Sequence, residues 1–159
     1  MKEIPLNQGY VALVDDQDYE WLSQWKWTAI VGVDGSIQAA RRTTVGEGLP
    51  RKQIAMHRAI LNAPDGLQVD HINHHSLDNR RSNLRLCTQS QNNMNQRRNK
   101  RNTSGYKGAY WHAPSHKWAA KIQVDGRSIW LGCFDSVEDA AKAYREASAQ
   151  YHGAFGLTD

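Results

Sequence analysis

The feature that most constrains how this chain folds is a polar loop between two short strand-forming runs, within residues 67–88. The runs "LQVDHI" and "NLRLCT" are rich in residues that favour β-strands. Thr88, followed three residues later by Gln91, has the pattern of a capping box, so a helix is expected to start at Thr88. The segment therefore predicts a strand, a loop, a second strand and a helix, in that order.

The C-terminal third predicts a small sheet covered by one helix. The runs "YKGAYWH", "KWAAKIQV" and "RSIWLGCF" have strand composition, and Asp125-Gly126 between the last two favours a tight hairpin turn. Ser136 is a suitable N-cap for a helix that ends at Gly153. The apolar stripe of that helix is expected in the core and consists of Val137, Ala140, Ala141, Tyr144, Ala147 and Tyr151. We expect three antiparallel strands with the helix across one face.

The N-terminal residues predict a helix followed by a hairpin. Tyr19, Leu22 and Trp25 recur at helical spacing, and the run "KWTAIVGVDGSIQAARRT" predicts a hairpin that turns at Asp34-Gly35. The whole chain is therefore expected to be α+β. Its predicted parts are an N-terminal β-rich extension (1–52), a central core (53–98), a basic linker (99–104) and a C-terminal domain (105–159).

The composition favours a polyanionic partner and excludes several other classes of protein. Lys and Arg number 20 against 16 Asp and Glu, which gives a net charge of +4 and a pI of about 9.2. No apolar run approaches the roughly 18 residues of a membrane span, and the N-terminus lacks the apolar core of a signal peptide. Cys87 and Cys133 are the only cysteines, which excludes a four-cysteine structural zinc site within one chain and fits a reducing cytoplasm.

Asp70 and His71 place a carboxylate beside an imidazole at the end of the first strand-forming run. Histidine can act as a general base near neutral pH, and a divalent ion on oxygen ligands can stabilise charge on a phosphate. Asn92 falls in the first turn of the expected helix, where its amide oxygen could lie beside Asp70. Asn83 begins the second strand and could brace the loop or orient the imidazole. Because side chains alternate along a strand, Asp70 and His71 serve one site only if the strand ends or distorts there.

His74 and His75 complete a literal His-x-Asn-His string that starts at His71. We expect both to be exposed loop residues. Contact with phosphate and binding of a transition metal are two roles open to them.

Basic residues are concentrated around the polar loop. From residue 80 to residue 101 the chain has no acidic residue, and its basic residues are Arg80, Arg81, Arg85, Arg97, Arg98, Lys100 and Arg101. A solvated basic face is one explanation. Contact with phosphate is the other, and the position of the block beside the polar loop favours it.

Strand alternation assigns the side chains of the C-terminal sheet to two faces. Trp118, Ala120 and Ile122 are expected to face the helix, together with Ile129 and Leu131. The opposite, open face then carries Lys121, Gln123, Ser128 and Trp130. A basic, aromatic sheet face suits a DNA groove, and an ordinary solvated face is the alternative.

The central segment resembles the HNH nuclease family, in its phage and intron-encoded branch. The motifs "MHRAIL", "VDHIN", "LDNRRSNLRL" and "TQSQNN" carry the resemblance over residues 55–95. It implies a ββα-metal fold that nicks or cuts DNA. It implies further that His71 is the general base, Asp70 a metal ligand, Asn83 the brace of the hairpin and Asn92 the second ligand. His57 also matches a recurrent position, for which a structural role and a phosphate contact are both open.

The chain departs from that family's usual pattern in one feature. Asn92 is not a departure, because many members have histidine at that position but this branch has asparagine, which is the weaker ligand. Glycine-containing sequence commonly follows the "DHIN" motif, where this chain has His74, His75 and Ser76.

The C-terminal segment resembles the ethylene-response-factor (Apetala-type) DNA-binding domain of plants. The motifs "GYKGAYWH", "KWAAKI", "IWLGCFDSVEDAAKAY" and "HGAF" carry this resemblance over residues 104–157. It implies DNA binding through the sheet in the major groove. The residues that it places against DNA are Lys107, Tyr110, His112, Lys121, Gln123, Ser128 and Trp130. The N-terminal residues resemble a portion often fused to phage nucleases of this kind.

The resulting hypothesis is a metal-dependent endonuclease of the homing type that nicks double-stranded DNA at a site chosen by the C-terminal domain. The expected cofactor is Mg²⁺, with Mn²⁺ as the alternative and no structural zinc. The expected partner is double-stranded DNA, and no association with a membrane is expected. The expected state is a monomer, with a dimer as the alternative, in the cytoplasm of a bacterial or phage-infected cell. Two other hypotheses stay open: a DNA-binding regulator with a decayed nuclease site, and a nuclease that acts on structured RNA.

Overall fold

The computed structural model describes residues 1–33, 35–44, 51–96 and 102–156. The chain divides into two compact units, Met1–Thr88 and Gln89–Asp159. The predicted four-part division stays a prediction. Half of the expected basic linker, residues 99–101, lies outside the described residues, as do Asp34, Arg97 and Arg98.

The first unit begins with a strand pair and one helix. Strands β1 (Lys2–Pro5) and β2 (Val11–Val14) pair antiparallel, and helix α1 (Asp16–Ser23) follows directly. Asp16 and Asp18 lie in the first turn of α1, where negative charge interacts favourably with the helix dipole. The predicted N-terminal helix is therefore confirmed.

A three-stranded antiparallel sheet comes next in the chain. Its strands are β3 (Thr28–Val31), β4 (Ile37–Thr43) and β5 (Lys52–Ala55), with β4 in the centre. The predicted hairpin corresponds to β3 and β4, and the amide of Gly32 closes its loop by donating to the carbonyl of Ser36. A short helix, α2 (Met56–Ile60), follows β5 without a break.

The candidate loop is carried by the last two strands of the first unit. Strands β6 (Gln68–His71) and β7 (Leu84–Cys87) pair antiparallel, with Asp70 opposite Arg85 and His71 opposite Leu84. The predicted order of strand, loop, strand and helix is confirmed, because α3 (Gln89–Met94) begins directly after Thr88. Strand β6 ends at His71, as a shared site for Asp70 and His71 requires.

The core of the first unit draws on β1, β2, α1, β4, α2 and β7. Its buried members are Ile4, Ala12, Val14, Leu22, Trp27, Ala39, Met56, Ile60 and Leu84. The indole nitrogen of Trp27 donates to the carbonyl of Leu22 at 2.8 Å, so this polar atom is satisfied in the core. Trp25 lies beyond the end of α1 and is 48% exposed, with the Arg41 guanidinium over its ring.

The second unit contains the predicted sheet and helix. Strands β8 (Ala109–His112), β9 (Lys117–Val124) and β10 (Arg127–Phe134) form an antiparallel sheet with β9 in the centre. Asp125 and Gly126 turn the chain between β9 and β10 with φ angles of 48° and 77°, both in the left-handed region that such a tight hairpin requires. Helix α4 (Val137–Tyr151) lies against the sheet.

Helix α4 begins at the expected cap and contributes the expected core residues, with one exception. The Ser136 hydroxyl accepts a hydrogen bond from the Asp139 amide at 3.1 Å. Gly108 lies so close to the Tyr144 ring that a Cβ there would overlap it. Tyr151 was expected in the core and is 44% exposed, so this assignment is wrong. Buried Ser148 and His152 lie on α4 and at its C-terminal end, and the His152 ring bonds the Gln123 carbonyl at 2.7 Å.

The observed mixture of helices and small antiparallel sheets confirms the α+β class. Within the described part of the chain, none of the helices has the length and apolar composition needed to span a lipid bilayer.

Candidate functional site

His71 lies at the end of β6, half-buried against the imidazole of His57 from α2. The two ring centroids are 5.1 Å apart and the ring planes meet at 83°. The Nε2 atom of His71 is 3.3 Å from Oδ1 of Asn79 in the polar loop. Because an amide oxygen only accepts hydrogen bonds, this contact places the proton of the neutral ring on Nε2 and the lone pair on Nδ1.

Burial favours the neutral form of both imidazoles. Burial lowers the pKa of His71, and this outweighs the opposing effects of the Asn79 hydrogen bond and of the Asp70 and Asp78 charges. Burial, reinforced by His71 and Arg58, lowers the pKa of His57 to about 4. A neutral His71 is the form that can take a proton from water.

His57 has no evident partner for one of its ring nitrogens. Its Nδ1 atom is buried and accepts or donates no hydrogen bond among the described residues. The contact with the His71 ring is therefore the specific interaction that the structure gives to this side chain. Sequence analysis left a structural role and a phosphate contact open for His57, and the packing against His71 favours the former.

Asp70 is buried and ion-paired with its cross-strand neighbour Arg85. The Nε and Nη2 atoms of Arg85 lie 2.8 and 2.7 Å from Oδ2 of Asp70. The side chains are only 7% and 16% exposed, respectively. Asp70, which is expected to bind a metal ion, is thus paired with Arg85 inside the protein. Arg85, which is expected to contact phosphate, is paired with Asp70.

Asn83 holds the two ends of the polar loop together. Its side-chain amide donates to the Asp78 carbonyl at 2.7 Å and accepts from the Asn73 amide at 3.0 Å. Its backbone carbonyl accepts from the Ile72 amide at 2.9 Å. These contacts are those of a brace, the first of the two roles expected for Asn83.

The polar loop is also fixed to strand β2. The Leu13 amide donates to the Leu77 carbonyl and the Asn79 amide donates to the Leu13 carbonyl, both at 2.8 Å. Asn79 is 1% exposed as a result. Sequence analysis missed Asn79, because an asparagine in a polar loop gives no local signal that it will be buried beside an imidazole.

The arginines that follow the loop are engaged within the first unit. Both oxygens of Asp78 accept from Arg80 at 2.7 Å, and this lowers the pKa of Asp78. Both oxygens of buried Asp18 accept from Arg81 at 2.8 Å. Burial raises the pKa of Asp18, but the hydrogen bonds from Arg81 and Trp21 outweigh it and leave the pKa lowered. DNA contacts by Arg80 and Arg81 stay predictions.

The remaining candidates near the loop have separate placements. Asn92 lies on α3 in the second unit, whereas Asp70, His71 and Asn83 lie in the first. His74 is half-buried with a φ of 61°, and His75 is exposed as expected. Arg97 and Arg98 are outside the described residues.

The donor chemistry of the site suits a hard divalent ion. A carboxylate and an amide oxygen are ligands that Mg²⁺ accepts, and HNH nucleases generally use a divalent metal. Among the described residues no three His, Cys, Asp or Glu side chains cluster as a ready metal site. The Asp70 carboxylate has the chemistry of such a ligand, and the Arg85 guanidinium lies against one of its oxygens.

The open face of the second unit carries the expected aromatic and basic side chains. Trp130 is 50% exposed and contacts Tyr110 and His112, at centroid distances of 6.4 and 5.4 Å. The Lys121 ammonium lies 5.1 Å from the centroid of the Tyr110 ring. Gln123 and Ser128 are exposed as well.

Lys107 has contacts that the sequence did not predict. Its ammonium donates to the carbonyls of Met94 and Gln96, both at 2.7 Å, at the C-terminal end of α3. Burial lowers its pKa. The predicted contact of Lys107 with DNA stays a prediction, while its contact with α3 is observed.

Comparisons with known proteins agree with this site. A family model described as HNH endonuclease matches residues 62–94, which include β6, the polar loop, β7 and α3. Protein 3.8 of Escherichia phage T7 is 32% identical over 107 residues, which cover 67% of this chain and 88% of that protein. An uncharacterized HNH endonuclease of Acanthamoeba polyphaga mimivirus is 30% identical over 92 residues, which cover 58% of this chain and 46% of that protein.

The C-terminal region has different relatives. An AP2/ERF and B3 domain-containing transcription factor of Arabidopsis thaliana is 47% identical over 47 residues, which cover 30% of this chain and 13% of that protein. No solved structure matches the chain. The chain belongs to the HNH endonuclease family and is a nuclease, with an ERF-like region in its C-terminal part.

Proposed function

We propose that this protein is a metal-dependent endonuclease that nicks double-stranded DNA. The observation that carries the proposal is the placement of His71 at the end of β6, with its Nε2 held by Asn79 and Asp70 as its chain neighbour. A neutral imidazole in a fixed orientation and an adjacent carboxylate are the groups that phosphodiester hydrolysis needs. The HNH match over residues 62–94 supports the same assignment.

In this proposal each loop residue has a defined task. Nδ1 of His71 takes a proton from the attacking water, because Nε2 is engaged with Asn79. Asn83 keeps the loop closed around Asn79 through its bonds to Asn73 and Asp78. Asp70 holds the divalent ion, Mg²⁺ or Mn²⁺, and Asn92 is its second ligand on the strength of the matched motif. The bound ion supplies positive charge that stabilises the phosphate and the leaving oxygen.

The open sheet face of the second unit is proposed to hold the DNA. Tyr110 and His112 are half-buried and contact the exposed Trp130 ring, and Lys121 lies beside Tyr110. The relatives of this region are named as transcription factors. One active site per chain predicts nicking by a monomer, and the phage relative supports activity in an infected bacterial cell.

The proposal is tested by incubating supercoiled DNA with the full chain and Mg²⁺ or Mn²⁺. His71→Ala is expected to lower the rate of nicking by about 100-fold or more, because the general base is lost. His75→Ala is the matched control, because His75 is an exposed histidine of the same loop. Nicked circles without early linear product indicate single-strand cutting. Equal rates for wild type and His71→Ala would remove His71 as the base.

The Asp70–Arg85 ion pair also favours a second candidate, a DNA-binding regulator whose nuclease site has decayed. An arginine that permanently occupies Asp70 would leave no metal ligand there. Salt-sensitive binding to a specific duplex, without cleavage at any metal concentration, would support this function. Competition between duplex DNA and structured RNA distinguishes a DNA partner from an RNA partner.

A further inference from the structure

Arg85 holds the carboxylate that the proposed function assigns to the metal ion. Two of its nitrogens, Nε and Nη2, lie 2.8 and 2.7 Å from the same oxygen, Oδ2 of Asp70. The two residues face each other across β6 and β7, so the hairpin register itself brings them together. The pair is largely shielded from water, with side-chain exposures of 16% for Arg85 and 7% for Asp70.

Such a pair opposes the entry of a second cation. The guanidinium neutralises the charge of the carboxylate, and its hydrogen bonds occupy lone pairs of Oδ2 that a metal ion would use. Because the pair is shielded from water, the guanidinium also repels a nearby cation more strongly. In the free protein, Asp70 is therefore a poorer ligand than an unpaired carboxylate.

A phosphate group removes this opposition, because it offers Arg85 another partner. Guanidinium binds phosphate oxygens with paired hydrogen bonds, as it binds carboxylates, and the phosphate carries its own negative charge. Once Arg85 turns to phosphate, the charge of Asp70 becomes available to the ion.

We propose that Arg85 is a positioning residue that couples metal binding at Asp70 to the arrival of a nucleic-acid phosphate. The inference rests on the proposed function in one respect, the assignment of Asp70 as a metal ligand. Metal affinity is low while Arg85 holds Asp70 and rises when phosphate engages Arg85. By linkage, a divalent ion raises the affinity for DNA by the same factor.

Arg81, another paired arginine of this region, provides the control. Arg81 also binds a buried aspartate through Nε and Nη2, but its partner is Asp18, which has no proposed role in metal binding. Arg81→Gln therefore removes a comparable ion pair without changing the surroundings of Asp70.

The first measurement is calorimetric titration of the full chain with Mn²⁺ in the absence of DNA. Arg85→Gln is expected to bind Mn²⁺ roughly tenfold more tightly than wild type, within the usual range of coupling between two sites. Arg81→Gln is expected to match wild type. Equal or weaker binding by Arg85→Gln overturns the proposal, because it means that Arg85 prepares Asp70 for the ion or leaves it unaffected.

The second measurement uses the wild-type protein, so it does not depend on whether Arg85→Gln folds. Duplex DNA affinity of the wild type is compared in EDTA and in Ca²⁺ by fluorescence anisotropy. Divalent ions ordinarily weaken protein–DNA binding by competing for phosphate. A several-fold gain in Ca²⁺ supports the coupling, whereas a loss overturns it.

Asp70→Asn separates this proposal from the proposed function. If Asp70→Asn binds Mn²⁺ as tightly as wild type, Asp70 is not a ligand and the metal assignment of the proposed function fails. If Asp70→Asn loses Mn²⁺ while Arg85→Gln binds it no more tightly than wild type, the metal assignment stands and the coupling alone is overturned.

Discussion

Two half-buried imidazoles in edge-to-face contact define the centre of the first unit's polar site. His57 and His71 are both held neutral chiefly by burial, and a neutral pair avoids the repulsion that two imidazolium ions 5.1 Å apart would feel. The arrangement suits a general base, which must be unprotonated near neutral pH before it can accept a proton from water. The neutral pair destabilises the folded state in acid, because the unfolded chain binds protons that the folded chain excludes.

The pH dependence of stability follows from the lowered pKa of His57. With a folded pKa of about 4 and an ordinary value of 6.5, the unfolded state binds more protons between these limits, so stability falls as the pH falls. His57 alone is expected to lower the free energy of unfolding by about 2.5 kcal/mol between pH 7.5 and pH 4.5. His71 acts in the same direction.

The measurement is urea unfolding of the full chain at both pH values, with unfolding of the first unit monitored through its NMR signals. His57→Leu is expected to reduce the acid-induced loss of stability, while His75→Leu, at an exposed loop position, retains it. An unchanged pH dependence in His57→Leu would contradict the assignment of this effect to His57.

At the scale of elements, α3 depends on a side chain that is distant in sequence. A helix of six residues is marginal by itself, and its last carbonyls have no partner within the helix. Lys107 supplies partners to the Met94 and Gln96 carbonyls. Within the second unit, the helix that carries Asn92 is thus secured from the segment that precedes β8.

Lys107→Met is therefore expected to release the end of α3. The loss of two charge-assisted hydrogen bonds, worth about 1–3 kcal/mol each, should speed hydrogen exchange of the Asn95 and Gln96 amides. The amides of β9 should keep their protection. Lys121→Met is the control, since Lys121 is exposed on the sheet. Identical exchange at the end of α3 in wild type and Lys107→Met would show that the helix does not need this cap.

At the scale of the whole molecule, one chain combines a candidate hydrolytic loop with a candidate DNA-holding sheet face. Each unit has its own core. The first unit carries Asp70, His71 and Asn83, and the second carries the sheet face together with Asn92. A substitution on the sheet face should therefore change DNA affinity without changing the chemistry of the loop.

Trp130 and Trp111 offer a matched comparison for the sheet. Both are 50% exposed, but Trp130 contacts Tyr110 and His112 on the open face, while Trp111 packs against Trp118. Trp130→Ala is expected to weaken duplex binding about tenfold, in line with aromatic residues that anchor interfaces. Trp111→Ala is expected to change the affinity for duplex DNA by no more than about twofold. Fluorescence anisotropy with a labelled duplex measures both, and equal losses would contradict the use of the open face.

The sequence by itself determined the order and type of most of the elements that follow β2, because their signals are local. The pairing of β1 with β2 was not predicted. The turn at Asp125-Gly126, the cap at Ser136 and the paired runs around the polar loop each depend on residues a few positions apart. The HNH motif was equally visible, because its residues are spaced along one hairpin and the start of one helix.

Only the tertiary structure decided which partner each charged or polar side chain takes. Arg81 pairs with Asp18, 63 residues earlier, and Lys107 turns to α3. Asn79 becomes buried because its loop bonds to β2. Such pairings depend on which surfaces meet when the cores form, and no local pattern encodes them. The same holds for Tyr151, which is exposed although it belongs to the apolar stripe, while Ser148 and His152 of the same helix end are buried.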